Sequence, residues 1–197
     1  MEDDKPLTEQ ESLALITRMI TKAKCEYEET GVSALLWGSI ITFCSIASFI
    51  GQETGTAWLD YVWFLTIAAV IVQVFIAVRE GRKKKYRSYD DATMSGIWIS
   101  FGISMFMFSF YASNFNIPHV NVLFLIVYGI PTFATGISRH FIPMIWGGIA
   151  CWLLAIAAVY TPLPYPLLYT ALAAQLAWFI PGLILRKRYL KAKGRNV

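Results

Sequence analysis

Apolar residues gather into six long stretches, at roughly 33–51, 57–78, 93–112, 120–138, 141–160 and 164–185. Each runs about 19 to 22 residues, and at about 1.5 Å per residue a helix of that length matches a hydrocarbon core of about 30 Å. Inside them the only Lys, Arg, Asp or Glu is Asp60, in the first turn of the second stretch. A helical bundle in water would need a charged face on most of its helices, and these segments have none. The pattern predicts an all-α fold, a polytopic membrane helical bundle of six transmembrane helices.

The chain before the first stretch follows another pattern. Leu13, Ile16, Ile20, Ala23 and Tyr27 recur at helical spacing, while Glu9, Glu11, Arg18, Lys22, Lys24, Glu26, Glu28 and Glu29 occupy the other faces. Thr8 followed by Glu11 fits a capping box, and Gly31 is a plausible break before the first span. Residues 9–29 are therefore predicted to form an amphipathic helix at the membrane surface or against the bundle. Three parts follow: an amphipathic segment at 1–32, a six-span domain at 33–185 and a basic tail at 186–197.

Composition agrees with a membrane domain. Of 197 residues, 56% are hydrophobic and 15% aromatic, more apolar surface than one soluble domain of this size can bury. The start Met1-Glu2-Asp3-Asp4 has the wrong charge for a signal peptide's first region, so no cleavable signal is expected. Cys25, Cys44 and Cys151 are scattered, with neither a disulfide framework nor metal-ligand spacing.

Charge supplies the topology. Every Lys and Arg lies in the N-terminal segment, in 79–92, in 138–140 or in 186–197, and the alternate loops 52–56, 113–119 and 161–163 hold none. Positive charge resists translocation, so both termini are expected in the cytoplasm. Trp58, Tyr61, Trp63, Tyr111, Tyr160 and Tyr165 would mark the outer interface, and Trp37, Trp98 and Trp146 the inner one. Residues 1–32 hold eight acids against four bases, the wrong sign for a helix that binds anionic lipid. That helix, with Glu26, Glu28 and Glu29, is expected to dock onto Arg82, Lys83, Lys84, Lys85 and Arg87 and onto Arg186, Lys187 and Arg188. The plainer reading of these basic runs is that they are topology signals and contacts for anionic lipids.

The spans echo one another. Leu35-Leu36-Trp37-Gly38 opens the first, Met144-Ile145-Trp146-Gly147 the fifth, and Gly96-Ile97-Trp98 is a looser match in the third. Gly129-Ile130-Pro131 and Phe179-Ile180-Pro181 pair the fourth with the sixth. Three related αα-hairpins would explain this, although chance similarity among apolar segments competes with it. Small residues recur every four positions at Gly147, Cys151 and Ala155 and at Gly96, Ser100 and Ser104, which predicts close helix packing along both stripes.

Chemistry in a membrane needs groups that carry charge, take a proton or bind metal. The spans offer Gln73, Gln175, some Ser and Thr, and tyrosines such as Tyr128; Asp60, His119 and His140 lie at the interfaces. There is no H-E-x-x-H, no acid pair within a span, no phosphate loop and no Ser–His–Asp set. The chain reads as non-enzymatic, without cofactor or metal, and no nucleic-acid partner is expected. Within the fourth span, Pro131 removes a backbone hydrogen bond and should kink the helix near Tyr128, with Thr132 and Thr135 close enough to compensate. These residues, with Gln73 and Gln175, are the candidate polar site; Ser138-Arg139-His140 is expected to be a tight hairpin turn.

Gly96-Ile97-Trp98-Ile99-Ser100-Phe101-Gly102-Ile103, Pro131-Thr132-Phe133-Ala134-Thr135-Gly136, Ile180-Pro181-Gly182 and Leu35-Leu36-Trp37-Gly38 together resemble a group of small bacterial six-span membrane proteins. The resemblance implies a multi-pass protein of the bacterial inner membrane and supplies no activity, cofactor or catalytic residue. An amphipathic helix before six spans is also similar, in architecture alone, to the permease subunits of export-type ABC transporters. The expected role is regulatory or scaffolding, through protein contacts at the cytoplasmic face. The alternative is a transporter or channel component for a small neutral or apolar solute, with or without an ATPase partner. That alternative predicts a wet cavity lined by Gln73, Gln175, Thr132, Thr135 and Ser104.

Overall fold

A computed structural model describes residues 8, 10, 12–13, 30–83, 89–115, 117 and 120–195. Most of the amphipathic segment 9–29, with Glu26, Glu28 and Glu29, lies outside the described residues, as do Lys84, Lys85, Arg87 and His119. The elements are α1 (Val32–Thr54), a 3₁₀ segment (Ala57–Phe64), α2 (Leu65–Lys83), α3 (Tyr89–Asn114), α4 (Val120–Ser138), α5 (Ile142–Val159), α6 (Pro166–Ala174), a π-helical segment (Gln175–Phe179) and α7 (Ile180–Arg195). Among the described residues six helical units are long and apolar enough to cross a membrane, and they fall on the six predicted stretches. The second begins as a 3₁₀ helix, and α6, the π segment and α7 together make the sixth.

The bundle has a packed centre and two loose edges. Spans one, four, five and six surround the core, where Ile41, Leu125, Tyr128, Cys151, Ala155 and Trp178 are buried together. The second span packs on α1, and α3 packs on α4. The two spans of each expected hairpin are thus neighbours. The closest pairing, however, is α4 with α5, across the turn that joins two hairpins. Glycine explains the approach. A Cβ on Gly136 would lie 2.6 Å from the Ile145 nitrogen, and one on Gly148 would lie 2.7 Å from the Phe133 Cβ.

The turn between α4 and α5 closes through two backbone bonds. Phe141 N–H donates to Gly136 C=O at 2.8 Å, and His140 N–H donates to Ile137 C=O at 3.1 Å. This pair defines a Schellman ending. The residue that ends such a helix adopts the left-handed region, usually as glycine; here it is His140, with φ of 49°.

The two small-residue stripes diverge. Gly147, Cys151 and Ala155 are buried, as expected. Gly96 and Ser100 are exposed, Ser104 is half-buried, and nothing lies within 4 Å of where a Gly96 Cβ would be. The expectation of close packing along the third span is therefore corrected: among the described residues no helix covers Gly96 and Ser100.

Contacts place the basic loops at one end. Thr30, just before α1, donates its hydroxyl to the Glu80 carboxylate of α2 at 2.6 Å. Gly31 abuts the backbone of Gly182 and Arg186, and Arg188 lies over the Phe141 ring. At the opposite end Gly51 receives Leu59, Trp63 Nε1 donates to Ser48 Oγ at 2.8 Å, and Phe49 meets Tyr165.

Candidate functional site

Pro131 sits inside α4, where it can offer no N–H to the carbonyl four residues earlier. That carbonyl is Val127's, and the two threonines that follow bond to other carbonyls of the helix. Thr132 Oγ1 donates to Tyr128 C=O at 2.8 Å, and Thr135 Oγ1 donates to Pro131 C=O at 2.7 Å. Such back-bonding uses the hydroxyl proton and leaves oxygen lone pairs facing outward. Each oxygen then accepts an indole N–H. Trp178 Nε1, from the π segment, donates to Thr132 Oγ1 at 2.9 Å, and Trp98 Nε1, from α3, donates to Thr135 Oγ1 at 3.1 Å.

The same relay occurs a third time. Gln175 Nε2 donates to Thr42 Oγ1 at 2.8 Å, and Thr42 Oγ1 donates to Gly38 C=O at 2.7 Å. In each relay a side-chain N–H from one span reaches a threonine of another, and that threonine returns its proton to its own helix. Interhelical bonds of this kind in membranes average about 0.6 kcal/mol. Their larger effect is to consume polar groups that hydrocarbon would penalise.

An aromatic cluster surrounds the Pro131 relays. Trp178 lies 5.0 Å from Tyr128, 6.2 Å from Phe101 and 6.4 Å from Trp98, measured between ring centres. Phe101 lies 5.8 Å from Tyr128 and edge-on to Trp98 at 5.5 Å. Rings at these tilted separations each contribute about 0.5–1.5 kcal/mol beyond burial. Thr132 is wholly buried, and Thr135, Trp178 and Tyr128 are nearly so.

The π segment owes its place to two glycines. A Cβ on Gly38 would lie 2.7 Å from Phe179 N, and one on Gly147 would lie 2.6 Å from the Ala177 Cα. These are the glycines of the two Trp-Gly pairs that open the first and fifth spans. The recurring motif thus supplies two bare surfaces between which the wider π turn fits. From that turn Gln175 reaches α1 and Trp178 reaches α4.

Of the six candidate polar residues, Tyr128, Pro131, Thr132 and Thr135 converge, and Gln175, three residues before Trp178 on the π segment, bonds instead to Thr42 of α1. Gln73 stands apart. Its Nε2 donates to Ser33 Oγ at 3.1 Å near the basic end, and its Oε1 is buried without a partner. Trp98 and Trp178 are the members that sequence reasoning missed. Their signal was chemical: an indole N–H is a donor only, and deep in an apolar span it must find an acceptor.

At the basic end, Arg82, Lys187 and Arg188 are exposed and Arg186 is half-buried; Lys83 closes α2. The Arg188 guanidinium carbon lies 5.1 Å from the Phe141 ring centre, which joins the 186–188 run to the 139–141 turn. Arg139 and His140 therefore belong to the same basic surface, a juxtaposition that their distance in sequence conceals. Among the described residues no three His, Cys, Asp or Glu side chains gather as metal ligands. Comparison with protein-family models, with curated proteins and with solved structures finds no match to this chain.

Proposed function

We propose that this chain is a multi-pass protein of the bacterial inner membrane that acts as a scaffold or regulator through contacts at its basic end. The positive-inside rule assigns that end to the cytoplasm. The observation that carries the reading is the contrast between centre and end. In the centre, the Thr132, Thr135 and Thr42 hydroxyls and the Trp98, Trp178 and Gln175 N–H groups are spent on one another. A solute path lined by Thr132, Thr135 and Gln175 would have to break those bonds. At the basic end, Lys187 and Arg188 are exposed beside the 139–141 turn.

Site-specific photocrosslinkers test this in intact membranes. Placed at Lys187 or Arg82, they should give discrete protein adducts; placed at Glu53 or Tyr160, at the other end, they should give none. Adducts from the far end alone would overturn the reading. So would reconstituted vesicles that pass glycerol or urea faster than protein-free ones.

A further inference from the structure

On this contact reading, we propose that the 139–141 turn and the end of α7 form a headgroup site for an anionic lipid. The charge comes from the end of α7. Arg188 projects from α7 over the Phe141 ring at 5.1 Å, and cation–π attraction of this kind positions a guanidinium without neutralising it. His140 and Arg139 immediately precede Phe141, His140 exposed and Arg139 half-buried. Phe141 itself is buried and so gives the cation a fixed platform.

Among the described side chains the one carboxylate at this end is Glu80, which accepts from the Thr30 hydroxyl.

What selects a lipid over a free anion is the surface beside the rim. Ile137 ends the turn before it, and Ile142 and Trp146 follow within the first turns of α5, with 51%, 65% and 65% of their surfaces exposed. A cationic rim above uncovered apolar side chains matches a molecule with a phosphate at one end and acyl chains at the other. Free phosphate would use the rim alone.

The test uses the full-length protein in mild detergent, titrated with phosphatidylglycerol or phosphatidylcholine, with bound lipid counted by native mass spectrometry. The chain should retain phosphatidylglycerol preferentially. Arg188→Gln should lower that preference about fivefold, the loss expected for one basic residue at an anionic surface. Arg188→Lys should keep most of it. Arg82→Gln, at the end of α2, should leave it unchanged.

Equal retention of the two lipids would overturn the proposal, and so would equal losses in Arg188→Gln and Arg82→Gln, which would mean diffuse attraction. Displacement of the lipid by inorganic phosphate would reassign the rim to free anions. Increased retention when Glu26, Glu28 and Glu29 are all changed to Gln would make the chain's own acidic segment the occupant. If lipid preference fails while crosslinks stay confined to the basic end, this assignment alone falls. If both fail, the contact reading falls with it.

Discussion

The fifth and third spans carry the same sequence device and use it differently. On α5, Gly147, Cys151 and Ala155 are sealed against neighbours, and Gly147 touches the backbone of the sixth span. On α3, Gly96 and Ser100 look outward, and none of that span's most apolar window is buried, against 50% for the sixth. Small residues permit close approach without causing it. The cause is what the partner offers: a π turn that needs room on one side, and on the other no helix among the described residues.

The largest test of that difference is Gly147→Val. A side chain there meets Ala177 backbone, which cannot rotate aside, so the loss should be about 3 kcal/mol, the upper end for overpacking. Equilibrium unfolding in mixed detergent and dodecyl sulfate micelles measures it, and a loss no greater than for Gly96→Val would erase the contrast. Next comes Thr132→Val, which keeps shape but strips Trp178 of its acceptor; about 1–2 kcal/mol should be lost. Ser100→Ala, the matching change on the open stripe, should leave the midpoint in place, and equal effects would show that the relay contributes nothing special. Gly96→Ala should stabilise by up to about 1 kcal/mol, since it gains helix propensity and meets nothing. A clear destabilisation would reveal a covering partner in the assembled protein.

The smallest effect concerns the α4–α5 turn. His140 holds a left-handed conformation that costs a non-glycine residue about 1 kcal/mol or more, while glycine loses part of that gain to chain entropy. His140→Gly should therefore stabilise by about 0.5 kcal/mol. A loss of stability instead would mean that the imidazole makes a contact worth more than the strain.

The six spans were legible because the constraint is one of length and polarity, and nothing else folds around 20 apolar residues in lipid. Pro131, Thr132 and Thr135 were legible as a group, but the compensation expected of the hydroxyls was not what they do: they bond Tyr128 C=O and Pro131 C=O rather than the Val127 carbonyl that the proline leaves free. What stayed hidden was which faces meet. In a soluble helix the polar face points outward, but here Ile99 and Phe106 toward lipid look the same in sequence as Leu125 toward the core. The third span's edge position was hidden for that reason. The π segment left no mark of its own, because its cause lies in Gly38 and Gly147, on other helices. Trp98 and Trp178 were hidden because the acceptor each needed sits in a different span.

The placement of the sixth span has a consequence for biosynthesis. Chains enter the membrane from the N-terminus onward, so Thr42 and Thr132 are in place long before Gln175 and Trp178 emerge to engage them. Until then α1, α4 and α5 lack the helix that fits between the two Trp-Gly openings. The bundle therefore reaches its folded form only when the last span inserts, and a chain halted before it would present quality-control proteases with an assembly still open at its centre.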